Sequence, residues 1–414
     1  MTDTTDRSDP TAVEPRSPWR GQADRQERDH WANVARQVAD ELARDAIDRD
    51  RANQQPRREV ELLKASGLVD LLVPREYGGH GGHFATAFDA VRILAQADGS
   101  ISQLLAYHYF NQGCIGFYAP PADQPAWWRR TVEGRWLWGD SVNPVDPDLV
   151  LTPDGEGFRL NGFKRFSTGS GVGDVIVVNA GVQGGQRDGT VLCFVLETDR
   201  EGVELVDDWD MLGQRLTASG SVRYTSVAVR PEDILGEVTD DPYVTLLTPG
   251  VQLGFANFYL GVAQGALERG RQILLERKNA WFLSNADRYA EDPVFQRVWG
   301  ELKARTAAVA ALARELNDRY DEEVDKSSSL TAAERGEYAV AIAELKVVST
   351  EVGLETAHRI FEVTGASSTA SSVGLDLYWR NVRTHTLHDP VDYKKIEIAQ
   401  YHLLGINQPL SLYT

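Results

Sequence analysis

Residues 174–182, DVIVVNAGV, and 190–197, TVLCFVLE, are two β-rich runs parted by QGGQRDG, and the fold is decided by what surrounds them. β-Branched and other apolar residues crowd both runs, while the glycines and aspartate between them favour a turn. RWLWGDSV (135–142), GFRLNGFKRF (157–166), GVELVDD (202–208) and SVRYTSVAV (221–229) flank them at strand length, separated by Gly, Asp and Asn. No helical segment intervenes to carry parallel crossovers, so the spacing predicts an antiparallel β-domain of barrel or sandwich type over 134–245. A Rossmann unit is not supported, because neither GxGxxG nor a P-loop stands between a strand and a helix.

Outward from this block the apolar period changes to that of helices. Over 27–133, Trp31, Val34, Val38 and Leu42 recur at helical spacing, Pro56 opens a second helix, and two more are expected at 86–97 and 101–118. REYGGHGGHF (75–84) is too rich in glycine for a regular element. Over 246–414 one long helix is expected through FANFYLGVAQGALERGRQILLER (255–277). A second opens at Asp292 and Pro293, and a third opens at the capping box of Thr331 and Glu334 and stops at Gly365. Three such helices bury their apolar stripes only as a bundle, and the apolar face left over points to contact between subunits. Residues 1–26 carry acids throughout and no apolar h-region, so a flexible tail is expected rather than a signal peptide.

A formal charge of −18 argues against nucleic acid as a partner. Cys114 and Cys193 are the only cysteines, which excludes a disulfide framework and fits a cytoplasmic location. No apolar stretch reaches the length of about 20 residues that a spanning helix needs, so no membrane association is expected.

Several strings carry a family resemblance: LLVPREYGG (71–79), YHYFN (107–111), LNGFKRFSTG (160–169), DDW (207–209), LGQRLTASGSVRY (212–224) and, most specifically, YWRNVRTHTLHDPVDYK (378–394). Residues 27–410 resemble the acyl-CoA dehydrogenase superfamily, within it the flavin-dependent monooxygenase branch typified by dibenzothiophene monooxygenase. The branch includes enzymes that hydroxylate indole- or carbazole-like rings. The resemblance implies an α+β architecture of N-terminal helical domain, central β-domain and C-terminal long-helix bundle, with a flavin between the last two. It implies a homotetramer built as a dimer of dimers, and a two-component system in which a separate NAD(P)H-dependent flavin reductase delivers reduced flavin. With O2 that flavin forms a C4a-hydroperoxide, which passes one oxygen atom to a small aromatic substrate. Hydroxylation of an indole- or carbazole-like ring is the expected reaction. The alternatives are oxygenation of a thiophene sulfur, N-hydroxylation of an amine, and acyl-CoA dehydrogenation.

His385 and His388 share a helical face, and Asp389 beside them invites a metal reading that lacks further nearby ligands, so no metal is expected. By resemblance His388 is the base or proton manager, His385 its neighbour at the flavin, and His108 a third catalytic histidine turned toward substrate. Tyr107, Asn111 and Trp138 are expected in the substrate pocket, Asn111 as a support. Phe166, Ser167 and Thr168 are expected at the polar edge of the flavin ring, with Trp209 packed beside it. Asp140 falls where the sulfur-oxidising relative has asparagine, and an ionised carboxylate there accepts hydrogen bonds, such as one from a ring N–H. For the cofactor tail, Arg380, Arg383, Lys394 and the turn at Ser367 are candidates. Asn279 and Ser367 stand where the FMN-using relative is expected to have arginine, which favours FADH2 over FMNH2. Glu268 and Glu355 read as solvated helix acids, leaving no clear base for a thioester α-proton.

Overall fold

The computed structural model describes residues 16–142 and 148–411. The described residues run through six α-helices, eight strands and six more α-helices. The helices are α1 (Arg25–Ala43), α2 (Ala46–Ala52), α3 (Arg57–Ser66), α4 (Phe84–Ala95), α5 (Gly99–Tyr118) and α6 (Gln124–Gly134). The strands are β1 (Trp138–Ser141), β2 (Leu149–Asp154), β3 (Gly157–Lys164), β4 (Val175–Val182), β5 (Val191–Glu197), β6 (Val203–Val206), β7 (Ser221–Val229) and β8 (Ile234–Glu237). The rest are α7 (Pro242–Thr245), α8 (Leu247–Glu276), α9 (Pro293–Lys326), α10 (Ala332–Thr364), α11 (Asp376–His385) and α12 (Val391–Leu404).

The helix signals in the sequence act where they stand. Asp292 caps α9 with Pro293 in its first turn, and Thr331 and Glu334 form the reciprocal capping box of α10. α8 starts earlier than its apolar period suggests, because Pro249 lies in the first turn, where a missing N–H breaks no helical bond. The expected tail is only partly loose: 1–15 lie outside the described residues, and within 16–24 Ser17 and Trp19 are buried while most of the rest is exposed. Trp19 is 5% exposed, donates its indole N–H to Leu72 O at 2.9 Å and meets the Phe84 and Phe117 rings at 4.8 and 5.4 Å. One satisfied, buried tryptophan anchors this short polar segment.

The sheet order is β6-β7-β3-β2-β4-β5-β8, with β1 also on β4. Most neighbours are antiparallel as expected, but β1 and β2 both pair with β4 in parallel, so the sheet is mixed. β1 also packs against α5, and which strands become neighbours in the sheet is a long-range matter that local alternation does not encode. One sheet face gathers Leu151, Leu160, Ile176, Val178, Phe194 and Leu196 into its own core. The other presents Val175, Val177, Cys193 and Val195 to the helices, which explains why β4 is apolar on both sides. α8 lies at the centre of the helical part, packed on α10, α4, α5 and α9. A Cβ at Gly261 would stand 2.3 Å from Arg92 O, so glycine there permits the close approach of α8 to α4.

Candidate active site

Three elements meet around one chamber: α5, the β1 edge of the sheet, and the bundle formed by α8, α10 and α11. From α5, the half-buried Tyr107 stacks on Phe255 of α8 at 5.7 Å and faces the His388 ring at 6.5 Å. Its phenol reaches the Thr168 hydroxyl and lies near Asp140. Asp140 and Thr168 are joined twice: Asp140 N donates to Thr168 O at 2.9 Å, and Thr168 N donates to Asp140 Oδ1 at 3.1 Å. Burial pushes the Asp140 carboxyl up to about 8, although the Thr168 amide and Lys164 favour its ionised form. At neutral pH it is therefore mostly protonated, a donor as well as an acceptor.

On the bundle side, His385 and His388 stack at 5.8 Å with their planes within 7°. Phe255 meets both rings edge-on, at 4.5 and 5.2 Å. The Tyr259 hydroxyl lies 2.9 Å from His385 Nδ1, closer than to the His385 carbonyl at 3.5 Å. A phenol donating to Nδ1 leaves the proton on Nε2, and that atom is buried without a hydrogen-bond partner among the described residues. Burial holds His385 neutral, its affinity for a proton depressed further by His388 and Lys346. His388 opens to solvent but is crowded by protein on its other sides; this desolvation, with the Lys346 charge, lowers it to about 4. The site thus presents two neutral imidazoles at physiological pH.

Phe166 has φ +58°, a rare conformation for a bulky residue, and is 64% exposed. Its ring meets Trp209 edge-on at 6.1 Å, and the Trp209 indole N–H donates to Gln214 O at 2.7 Å. These two rings make a flat apolar corner at the strand end that leads to Thr168. Ser167 differs from expectation: its amide donates to Gly220 O at 3.0 Å and its hydroxyl pairs with Ser141 Oγ at 2.8 Å, so both are spent inside the β-domain.

Other expected site residues lie elsewhere or face away. His108 is fully buried; Val69 O lies 2.7 Å from its Nε2, and Trp138 N donates to its Nδ1 at 3.1 Å. A carbonyl only accepts and an amide N–H only donates, so the tautomer is fixed and neither nitrogen is left for substrate. Trp138 packs between Trp127 and Trp136 in the core rather than in the pocket, and Asn111 donates weakly to Trp138 O at 3.4 Å. Arg380 is taken up by Asp50 (2.6 and 3.3 Å), Asp376 (2.9 Å) and Leu212 O (2.9 Å), which removes it as a phosphate ligand. Lys394 pairs with Glu397 at 2.8 Å. Arg383 remains half-buried with its Nε unpartnered among the described residues. Ser367 sits at the far end of α10, bonded to Arg277, whose guanidinium also covers the Tyr289 ring at 4.8 Å.

Phe255, Tyr259, Arg277 and Lys346 were not expected from sequence. The first two belong to an ordinary apolar helix period. Lys346 alone carried a signal, a single cation within the apolar stretch AVAIAELKVV (339–348).

Comparison with known proteins matches the three-part architecture. Models of the acyl-CoA dehydrogenase N-terminal, middle and C-terminal domains match residues 24–135, 140–227 and 253–393. The chain is 36% identical to dibenzothiophene monooxygenase of Mycolicibacterium goodii over 89% of this chain and 92% of that one. It is 34% identical to a probable FMNH2-dependent monooxygenase of Pseudomonas putida, covering 89% and 94%. Among solved structures, FMN-bound TdsC of Paenibacillus sp. A11-2 superposes with a TM-score of 0.90 at 33% identity, over 93% of this chain and all of that one; the same protein has been solved with FMN and indole together.

His108→Ala takes the side-chain acceptor from the Trp138 N–H and one of two donors from Val69 O, which keeps Gln112 Nε2 at 3.1 Å, and costs about 2 kcal/mol of stability. His388→Ala, at the open side of the chamber, costs less than about 1 kcal/mol. Denaturant unfolding of the two flavin-free variants separates these outcomes.

Proposed function

The chain belongs to the acyl-CoA dehydrogenase superfamily, in its flavin-dependent monooxygenase branch, and on that premise we propose that it oxygenates a nitrogen-containing aromatic heterocycle such as an indole or carbazole, using reduced flavin and O2. The observation that carries this reading is the pair of neutral imidazoles on the bundle wall, where removal of a thioester α-proton would need a carboxylate base. Glu268 lies on the helix surface bound to Arg271, Glu355 is held by Arg305 and Arg359, and Asp389 is turned to Lys346.

The residues fit a flavin. A ring wall is offered by exposed Phe166 and half-buried Trp209, a hydroxyl by Thr168, and a buried donor without a hydrogen-bond partner among the described residues by His385 Nε2. When bound, reduced flavin supplies the activation of O2 and the transfer of one oxygen atom. Tyr107 and Phe255 clamp the substrate ring face, and Asp140 receives its N–H. His385 Nε2 donates a hydrogen bond into the chamber, and His388, neutral and open, takes the proton that the substrate ring loses. No reductase site is needed in this chain, since a separate NAD(P)H-dependent reductase supplies the reduced flavin.

For the cofactor tail we propose FMN. The argument for FAD rested on missing arginines at Asn279 and Ser367, but Arg277 brings a guanidinium to the Ser367 hydroxyl and restores a cation to that turn. Two exposed apolar surfaces, Trp281 to Leu283 and the α12 side of Ile396, Leu403 and Leu404, support a homotetramer with two kinds of interface. No helix among the described residues is long and apolar enough to cross a membrane.

Single turnover with reduced flavin, 18O2 and indole should give product carrying one labelled atom, and His388→Ala should retain flavin affinity while losing product; unlabelled or absent product together with flavin reduction by an acyl-CoA would place the chain with the dehydrogenases. Equilibrium titration of the flavin-free protein should show tighter binding of reduced FMN than of reduced FAD, with Arg277→Ala weakening FMN by about tenfold. Equal or better FAD binding overturns the tail assignment. Asp140 ionises as pH rises through about 8. Since a carboxylate accepts an N–H better than a neutral acid does, indole affinity should rise about fivefold across that pH while thiophene affinity stays flat, and Asp140→Asn should abolish the dependence.

A further inference from the structure

One buried charge takes no part in the chemistry above. Lys346, midway along α10, is 1% exposed, and its ammonium donates to Gln252 Oε1 and to Asp389 Oδ2. It also stands 5.9 Å from the centroid of Phe255, the ring that touches both His385 and His388. The cation is therefore placed directly behind the stacked imidazoles. An interior ion pair gives little or no net stability compared with apolar residues of similar volume, so packing alone does not account for it.

What the lysine does follows from its partner. Asp389 is the residue next to His388, and a poorly solvated carboxylate beside an imidazole draws a proton onto that ring. Lys346 competes for the same carboxylate. The other charged and titratable groups around the pair do not replace it. On α12, Lys394 is engaged with Glu397 at 2.8 Å. From α8 and α5 come the phenols of Tyr259 and Tyr107, both raised far from neutral pH by burial. Asp140, across the chamber, is held mostly protonated by burial. Arg383, on α11, acts on Tyr259 and has no carboxylate partner among the described residues.

We propose that Lys346 is a positioning residue of the oxygenation site: by claiming the Asp389 carboxylate it keeps the His385–His388 pair uncharged. The proposal rests on the functional reading only for what the neutral pair is used for; the protonation state itself is a property of the protein without flavin. The direction of the electrostatics agrees. After burial, Lys346 is the next influence depressing His388, and Asp389 works in the opposite sense.

Diethylpyrocarbonate acylates only neutral imidazole, and His388 is open to solvent, so its acylation in the flavin-free protein can be followed by tandem mass spectrometry with N-acetylhistidine as an internal reference. Relative to its value at pH 7.5, the intrinsic rate at His388 in wild type should change less than about twofold at pH 5.5, because a ring titrating near 4 stays neutral over that range. Lys346→Met frees Asp389 to pair with His388, and the rate should fall about tenfold or more over the same interval. Lys346→Arg, which retains the cation, and Lys346→Met combined with Asp389→Asn, which removes both charges, should each restore the flat profile. A flat profile for Lys346→Met, or a double variant as steep as the single one, overturns the proposal. Should the methionine variant not fold, Lys346→Gln keeps hydrogen bonds to Asp389 and Gln252 without the charge, and the same two outcomes apply to it. The readout needs neither flavin nor turnover, so failure of the proposed oxygenation leaves it standing and failure of this inference leaves the oxygenation untouched.

Discussion

One imidazole ring holds the chamber's frame together. His108 reaches from α5 to the Val69 carbonyl on one side and to the Trp138 amide at the start of β1 on the other. Those two bonds fix the rotation of α5 against β1, and Tyr107, the preceding residue, is thereby aimed into the space between the sheet and the bundle. Asp140 follows from the same constraint, because β1 carries it two residues beyond Trp138, and its amide and its carboxyl group both bond the backbone of Thr168, in the turn that follows β3. A polar group buried this deeply is costly unless both of its nitrogens are satisfied, and here they are. A histidine expected as a third catalytic group is the one that makes the other positions precise.

Within that frame the electrostatics of the chamber differ sharply from those of the molecule. The chain carries a formal charge of −18, yet the chamber's titratable groups are neutral: Asp140 because it is buried, His385 and His388 because burial and a nearby cation disfavour a second positive charge. Surface charge is screened within about 10 Å at moderate salt, so the acidic exterior scarcely reaches these groups. A neutral enclosure of aromatic rings suits a flat apolar substrate and a reactive oxygen donor that water would quench.

Local sequence carried the architecture and much less of the site. Alternation located the strands, and the capping residues Asp292, Thr331 and Glu334 located two long helices, because each signal is read over a few residues. The parallel pairing of β1 and β2 with β4 was hidden, since strand order in the sheet is set by contacts between segments distant in sequence. His385, His388, Tyr107, Asp140 and Thr168 do converge. His108, Asn111, Ser167 and Arg380 each have partners inside the protein, and Trp138 packs among tryptophans, for one shared reason that local sequence hides: residue type announces hydrogen-bonding and packing capacity but not who uses it. Arg380 has the fork of a phosphate ligand and spends it on Asp50; Ser167 has the hydroxyl of a flavin contact and spends it on Ser141. In the same way the first residues read as a polar tail until Trp19 finds its place beneath Phe84 and Phe117.

The same accounting explains how one fold serves two chemistries. Dehydrogenation of a thioester needs an ionised carboxylate in the chamber, and a scaffold built for it must solvate or pair that charge. Here the bundle wall carries imidazoles, and the carboxylate next to them in the chain, Asp389, is drawn away by Lys346. Replacing an acid with a histidine would not by itself produce a neutral site, because the neighbouring Asp389 would invite protonation. The lysine, an apparent extravagance in a buried helix, is what makes the substitution chemically complete. A change of reaction class in this fold therefore requires at least two coordinated residues, one that touches the substrate and one that sets the charge of the first.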